Sequence, residues 1–116
     1  MDAAQLLGHQ VHVIVDRPVG YVHKGMVYPV NYGYLPGVYA GDGEEQDVYI
    51  LGVTEPLTEF DGWIIGVIRR RDDCEDKLVA APEGMHFTKE QIAAAVSFQE
   101  QYFDSFVELF TKENNV

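Results

Sequence analysis

Asp42, Glu44, Glu45 and Asp47 fall within six residues of one another, inside the stretch YPVNYGYLPGVYAGDGEEQDVYILG that runs from residue 28 to residue 52. Carboxylates held a few ångströms apart repel by about 4 kcal/mol per pair at an effective dielectric near 20. A chain that gathers four of them must splay them into water or neutralise them. Oxygen donors of this kind suit Mg²⁺, which keeps several waters and binds substrate phosphates as well. Asp42-Gly43 is a turn dipeptide, so the first carboxylate sits on a tight loop, and Asp47 opens an apolar run. The spacing is not that of an EF-hand. Gly43 falls at the second position, and the twelfth lacks its glutamate (Thr54 is nearest, one place late). On spacing alone, a solvated loop stands ahead of a metal site.

A second acidic group follows in Arg69-Arg70-Arg71-Asp72-Asp73-Cys74-Glu75-Asp76-Lys77. By itself it reads as a mixed-charge hairpin loop. Beside the first loop it could do chemistry. Two acidic loops at one end of a barrel can hold two or more metals, with Lys77 and nearby arginines gripping phosphate oxygens. That arrangement suits phosphoryl transfer to water: metals clamp the phosphate and acidify a water, and a carboxylate takes its proton.

The elements that must position these groups are mostly strands. Gln10 to Asp16 alternates with period two, placing Val11, Val13 and Val15 on one face. Arg17-Pro18-Val19-Gly20 ends it with turn chemistry. Val48 to Val53, Trp63 to Ile68 and Lys77 to Ala81 read as further strands, and the tyrosine-rich segment from Tyr21 to Tyr34 adds an irregular one or two. Thr88-Lys89-Glu90-Gln91 is a capping box with Phe87 and Ile92 at the staple positions. Ile92, Ala95, Val96, Tyr102, Phe103, Phe106, Leu109 and Phe110 recur at helical spacing, which predicts one long amphipathic helix over about 88–112. The expected class is mainly β with a C-terminal helix (α+β), a small barrel or strongly curled sheet packed by that helix, in a single domain over 1–116.

Composition narrows the partners. The 116 residues carry a formal net charge of −11, the wrong sign for a nucleic-acid backbone or an anionic membrane surface. No apolar run approaches the ~20 residues of a membrane span, and MDAAQLLGHQ lacks the basic and apolar regions of a signal peptide. Cys74 is the sole cysteine, so no intrachain disulfide is possible and a cytoplasmic setting is expected. The acidic surroundings of Cys74 argue against a thiolate nucleophile.

YPVNYGYLPG followed by GDGEEQDVYILG closely resembles the soluble family I inorganic pyrophosphatases, which carry Tyr-Pro-x-Asn-Tyr-Gly-Tyr and then Asp-Gly-Asp-Pro-x-Asp-Val. GVIRRRDDCEDKLVAAP is similar to the family's third acidic segment, and FQEQYFD to its Phe-x-Glu-x-Tyr-Lys-Asp. The resemblance implies an OB-like five-stranded β-barrel and Mg²⁺-dependent hydrolysis of pyrophosphate to two phosphates. It implies Asp42 and Asp47 as metal ligands and Glu44 in place of the aspartate that orients and deprotonates the attacking water. Tyr32, Tyr102 and Lys77 become phosphate contacts. The remaining metal ligands fall among Asp72, Asp73, Glu75 and Asp76, with Asp73 and Asp76 chosen; strand parity counted back from Lys77 favours Glu75 instead. The resemblance also implies a homo-oligomer, and Phe103, Phe106 and Phe110 leave a subunit contact open.

The chain departs from the family in ways that bear on substrate. It is shorter, chiefly before Tyr28. One alignment sets Asp16 at a phosphate-site glutamate with Lys24 standing in for a lysine; the other makes Arg17 the family's catalytic arginine. Phe103 stands where the family has a helix lysine, and Glu44 is longer by a methylene than the expected base. Two alternatives therefore stand beside a pyrophosphatase. One is a related metal-dependent hydrolase of another phosphoanhydride; the other is a catalytically impaired barrel that binds phosphate or a partner.

Overall fold

A computed structural model describes residues 3–72 and 75–110 of the chain. A short 3₁₀ turn, Ala3–Leu6, precedes β1 (Gln10–Arg17), the small pair β2 (Val22–His23) and β3 (Met26–Val27), and then β4 (Asn31–Tyr39), β5 (Glu45–Ile50), β6 (Glu59–Arg70) and β7 (Lys77–Ala81). Helix α1 (Lys89–Glu100) and β8 (Ser105–Leu109) complete the described chain. Neighbours run β1-β4-β5-β7-β6, and β6 pairs back onto β1, which closes a five-stranded barrel. Closure removes the sheet edges that an open meander would leave. Among the described residues no helix is long and apolar enough to cross a membrane.

Period-two alternation sorts side chains to the two faces of the barrel wall. On β5, Val48 and Ile50 enter an aliphatic lumen with Val13, Val15, Leu35, Ile64, Val67, Leu78 and Ala80, while Tyr49 faces outward. On β7, Leu78 and Ala80 go inward and Val79 outward, yet all five residues are buried because α1 covers the outer face. That outer layer gathers Tyr28, Tyr32, Tyr49, Leu51, Ile68, Val79, Ile92 and Val96. The molecule therefore has two cores, one inside the barrel and one between barrel and helix.

The alternation in β1 and the strand over 77–81 form as expected, and the other strands extend beyond or shift from their sequence bounds. The capping box is present: the Gln91 amide donates to Thr88 Oγ1 at 3.1 Å, and the Thr88 amide to Gln91 Oε1 at 2.8 Å. The helix is shorter than the predicted 88–112. It stops at Glu100, and Ser105–Leu109 is a strand antiparallel to the second half of β6, with Ile68 opposite Val107. The cause is tertiary. β1 pairs β6 only as far as Trp63, so the rest of that edge has backbone donors and acceptors to satisfy. β8 satisfies them, and Val107 and Leu109 still join the layer beneath α1.

Two residues of the NYGY stretch serve the frame. A Cβ on Gly33 would lie 1.9 Å from the Ile14 carbonyl oxygen, so β4 can approach β1 this closely only with glycine there. Asn31 is fully buried; its Oδ1 accepts from the amides of Val19 and Leu57, and its Nδ2 donates to the carbonyls of Val53 and Glu55. One side chain on β4 thus ties together the loop after β1 and the loop between β5 and β6.

Candidate active site at the acidic mouth

β5 and β7 run parallel and in register, Val48 opposite Leu78 and Tyr49 opposite Val79. Parallel neighbours begin at the same end of a barrel, so the turn before β5 and the turn before β7 meet at one mouth. Gln46 fastens them, its Nε2 donating to the Asp76 carbonyl at 2.8 Å. Asp42 holds its own turn by accepting from the Glu44 amide at 3.0 Å, with Gly43 in the left-handed region at φ 85°. Both Asp42 and Glu44 are exposed at the tip.

At the base of these turns, Lys77 sits between two carboxylates. Its Nζ donates to Asp47 Oδ2 at 2.5 Å and to Glu75 Oε1. The lysine side chain is 4% exposed, and those of Asp47 and Glu75 are 28% and 26% exposed, so the cation is sunk and the anions face the opening. Burial alone would lower the Lys77 pKa; the Tyr32 phenol, Asp47 and Glu75 outweigh it and hold the value above the ordinary lysine range. Tyr32 lies beside the pair, with Nζ 5.7 Å from its ring centre, and burial pushes its phenol pKa well up.

Arg17 closes the other side. Its Nη1 donates to Tyr28 Oη at 2.5 Å, and its guanidinium lies 5.6 to 6.0 Å from the ring centres of Tyr21, Tyr28 and Tyr32. Burial would lower its pKa, but Tyr28, Tyr32 and Asp16 together hold it above the ordinary arginine value.

The structure thus brings together Asp47, Lys77 and Tyr32, with Arg17 on the adjacent tyrosine face. It also brings in Glu75, the residue favoured by parity counted back from Lys77, which lies just ahead of β7. Asp76 falls on the other parity and pairs with Arg69 at 2.7 Å. Asp73 lies outside the described residues, as does Cys74. Asp16 is exposed, and Lys24 is exposed in the β2–β3 turn at φ 52°. Tyr102 is 73% exposed just past the end of α1. Among the described residues no group of three or more His, Cys, Asp or Glu side chains is placed to hold a metal ion.

Sequence reading missed the layer behind the mouth. Arg70 forms a two-point pair with Glu100, Nε to Oε1 at 3.0 Å and Nη2 to Oε2 at 2.6 Å, with the two side chains 3% and 5% exposed. Arg70 Nη1 also lies 4.0 Å from Glu75 Oε2, and its guanidinium stacks on Phe103 at 3.6 Å. Burial would lower the Arg70 pKa, and Glu100 raises it further than burial can lower it. Tyr49 donates to Glu100 Oε2 at 2.7 Å; burial first, and then Glu100, drive its phenol pKa far upward. One signal was available in the sequence. Ile92, Val96 and Glu100 follow at spacings of four, so a carboxylate ends the apolar stripe of the helix and needs a buried partner.

A separate groove of about 310 Å³ is lined by Trp63, Pro82, Met85, Phe87, Leu109 and Phe110, with Glu83 and His86 at its polar positions. It shares no residue with the acidic mouth.

A closed five-stranded barrel with a helix on its wall is of the OB-like class, and a carboxylate–lysine–tyrosine cluster lies at its mouth. The chain belongs to the inorganic pyrophosphatase family, whose model matches residues 8–116. It is 37% identical over 75 residues to the inorganic pyrophosphatase of Ralstonia nicotianae, covering 59% of this chain and 39% of that one. It is 40% identical over 77 residues to that of Caulobacter vibrioides, covering 60% and 40%. The chain thus spans about two fifths of the length of the curated relatives it matches. The crystal structure of an inorganic pyrophosphatase from Ehrlichia chaffeensis shares the fold at a TM-score of 0.70 and 18% identity, over 86% of this chain and 85% of that one. The Helicobacter pylori enzyme does so at 0.63 and 17%, over 90% and 86%.

Proposed function

We propose that this chain hydrolyses inorganic pyrophosphate to two phosphates with Mg²⁺. The observation that carries the reading is the in-register parallel pairing of β5 and β7, which sets Asp47, Glu75 and Lys77 side by side at one mouth. The donor type suits Mg²⁺: Asp47 and Glu75 are two hard carboxylate donors facing the opening, and Asp42 is exposed on the turn above them. When bound there, Mg²⁺ supplies positive charge against the phosphate oxygens and acidifies water.

The chain's own residues do the rest. Lys77, its pKa held above the ordinary lysine range, stays charged at physiological pH and donates to a phosphate oxygen. Arg17 offers its planar fork to the same substrate from the tyrosine face. Tyr32 keeps its proton and can donate it in a hydrogen bond. Glu44, on the exposed turn, takes the proton from the attacking water. Phosphate release from pyrophosphate, with and without Mg²⁺, tests the reading.

A second reading has one observation in its favour. Tyr102 is largely exposed and Phe103 is stacked under Arg70, so these two positions just after α1 bring no cation to the mouth. A looser grip of that kind suits a larger phosphoanhydride, and nucleoside diphosphates and triphosphates belong in the same assay. The reading extends to a cytoplasmic homo-oligomer, supported by the single cysteine and by exposed Val22, Val27, Tyr102 and Phe106.

A further inference from the structure

We infer that Gln99, acting through Tyr28, is the positioning residue for Arg17; this rests on the proposed role of Arg17 as a substrate contact. Position 99 is one that the Phe-x-Glu-x-Tyr pattern leaves open, so the family motif assigns it nothing.

The hydrogen bonds run in one direction. Arg17 Nη1 donates to Tyr28 Oη at 2.5 Å. Tyr28 has one hydroxyl hydrogen, and it goes to Gln99 Oε1 at 3.0 Å. Gln99 Nε2 donates to Tyr49 Oη at 2.7 Å, and Tyr49 spends its own hydrogen on Glu100 Oε2 at 2.7 Å. Glu100 is held in turn by Arg70. Position 99 must accept from one tyrosine and donate to the other, and a primary amide does both.

The rings allow no other arrangement cheaply. Tyr28 is fully buried, edge-on to Tyr21 at 5.9 Å and to Phe98 at 4.9 Å. With the phenol fixed in place, only its hydrogen can turn. While Gln99 accepts that hydrogen, the lone pair of Tyr28 faces Arg17. Without Gln99, the hydrogen is free to rotate toward Arg17, and a donor then meets a donor. The guanidinium loses its fixed partner and the aim that a phosphate contact needs, since misplacement by about an ångström can cost a hundredfold.

The test is a double-mutant cycle in steady-state pyrophosphate hydrolysis with Mg²⁺. Arg17→Ala, Gln99→Met and Tyr28→Phe should each raise KM by about tenfold with a smaller change in kcat, the scale of one charge-assisted contact. In the Arg17→Ala background, Gln99→Met and Tyr28→Phe should add nothing to KM. Gln99→Glu keeps the acceptor toward Tyr28 and should hold KM nearer the wild-type value than Gln99→Met does. Additive effects of Gln99→Met and Arg17→Ala, or a wild-type KM in Gln99→Met, would overturn the inference. Should Gln99→Met fail to fold, Tyr28→Phe decides by the same criterion. A wild-type chain with no pyrophosphate turnover counts against the proposed function instead. The inference is then read from the Arg17 side-chain N–H resonances. Their exchange with water should quicken in Gln99→Met, and unchanged exchange would overturn it.

Discussion

The lumen of the barrel and the layer beneath α1 are buried to the same degree and built in opposite ways. The lumen is aliphatic, filled by Val13, Val48, Ile50, Ile64, Val67, Leu78 and Ala80. The outer layer holds three tyrosines and is threaded by Arg17, Tyr28, Gln99, Tyr49, Glu100 and Arg70. Apolar packing is non-directional, so each lumen residue contributes by its volume. Hydrogen bonds have direction, so each member of the outer layer fixes its neighbour. Among the described residues every buried side-chain nitrogen and oxygen has a partner. A satisfied network of this kind is rigid, and it is costly to satisfy in part. The acidic mouth opens on the networked side: Asp47 shares a strand face with Tyr49, and Lys77 with Val79.

Three experiments separate the two regions, beginning with the largest effect. Glu100→Leu strips Arg70 of its two-point partner and should cost about 3–5 kcal/mol in urea unfolding, while Glu100→Leu with Arg70→Met recovers most of the loss. A single mutant as mild as the double would show that the pair is not acting as a unit. Tyr49→Phe leaves Gln99 and Glu100 each short of a partner, for about 1–3 kcal/mol by the same measurement. Ile64→Val in the lumen should cost about 0.5–1.5 kcal/mol and add simply to any outer-layer change. Coupling between Ile64→Val and Tyr49→Phe would erase the distinction.

The smallest effect is outside both cores. His12 Nδ1 bonds Asp61 at 2.7 Å, and Nε2 lies 3.2 Å from Glu59. The Asp61 bond is the main cause of a His12 pKa raised above 6.5. A raised folded-state value means that this contribution to stability is fully present below about pH 6.5 and fades as pH rises through the folded pKa. A proton NMR titration should find the His12 value above 6.5 and see it fall in Asp61→Asn.

How much of this was legible in the sequence follows from the same contrast. Val11, Val13 and Val15 announced β1 because alternation is a local signal, and Thr88 with Gln91 announced the helix start for the same reason. Phe106 and Leu109 fitted a helical period, but the free backbone edge of β6, where they pair with Arg69 and Gly66, made them a strand. Asp42, Asp47 and Lys77 were visible as types and spacing. The meeting of Asp47 and Lys77 depended on β5 lying parallel to β7, a long-range pairing that no local pattern encodes. That Glu75, and not Asp76, lies beside Lys77 was accessible from strand parity. Arg70 looked like surface charge in a run of three arginines. Only the packing of α1 gave it Glu100 and took it out of water.

We propose that the turns before β5 and β7 form one functional mouth through Asp47, Glu75 and Lys77. Phosphate release from pyrophosphate at saturating Mg²⁺ in wild type, Asp47→Asn and Glu75→Gln tests it most directly. Mg²⁺-dependent turnover is expected in the wild type, with a loss of roughly a hundredfold in each variant and folding intact by circular dichroism. Equal rates in the three proteins would contradict it.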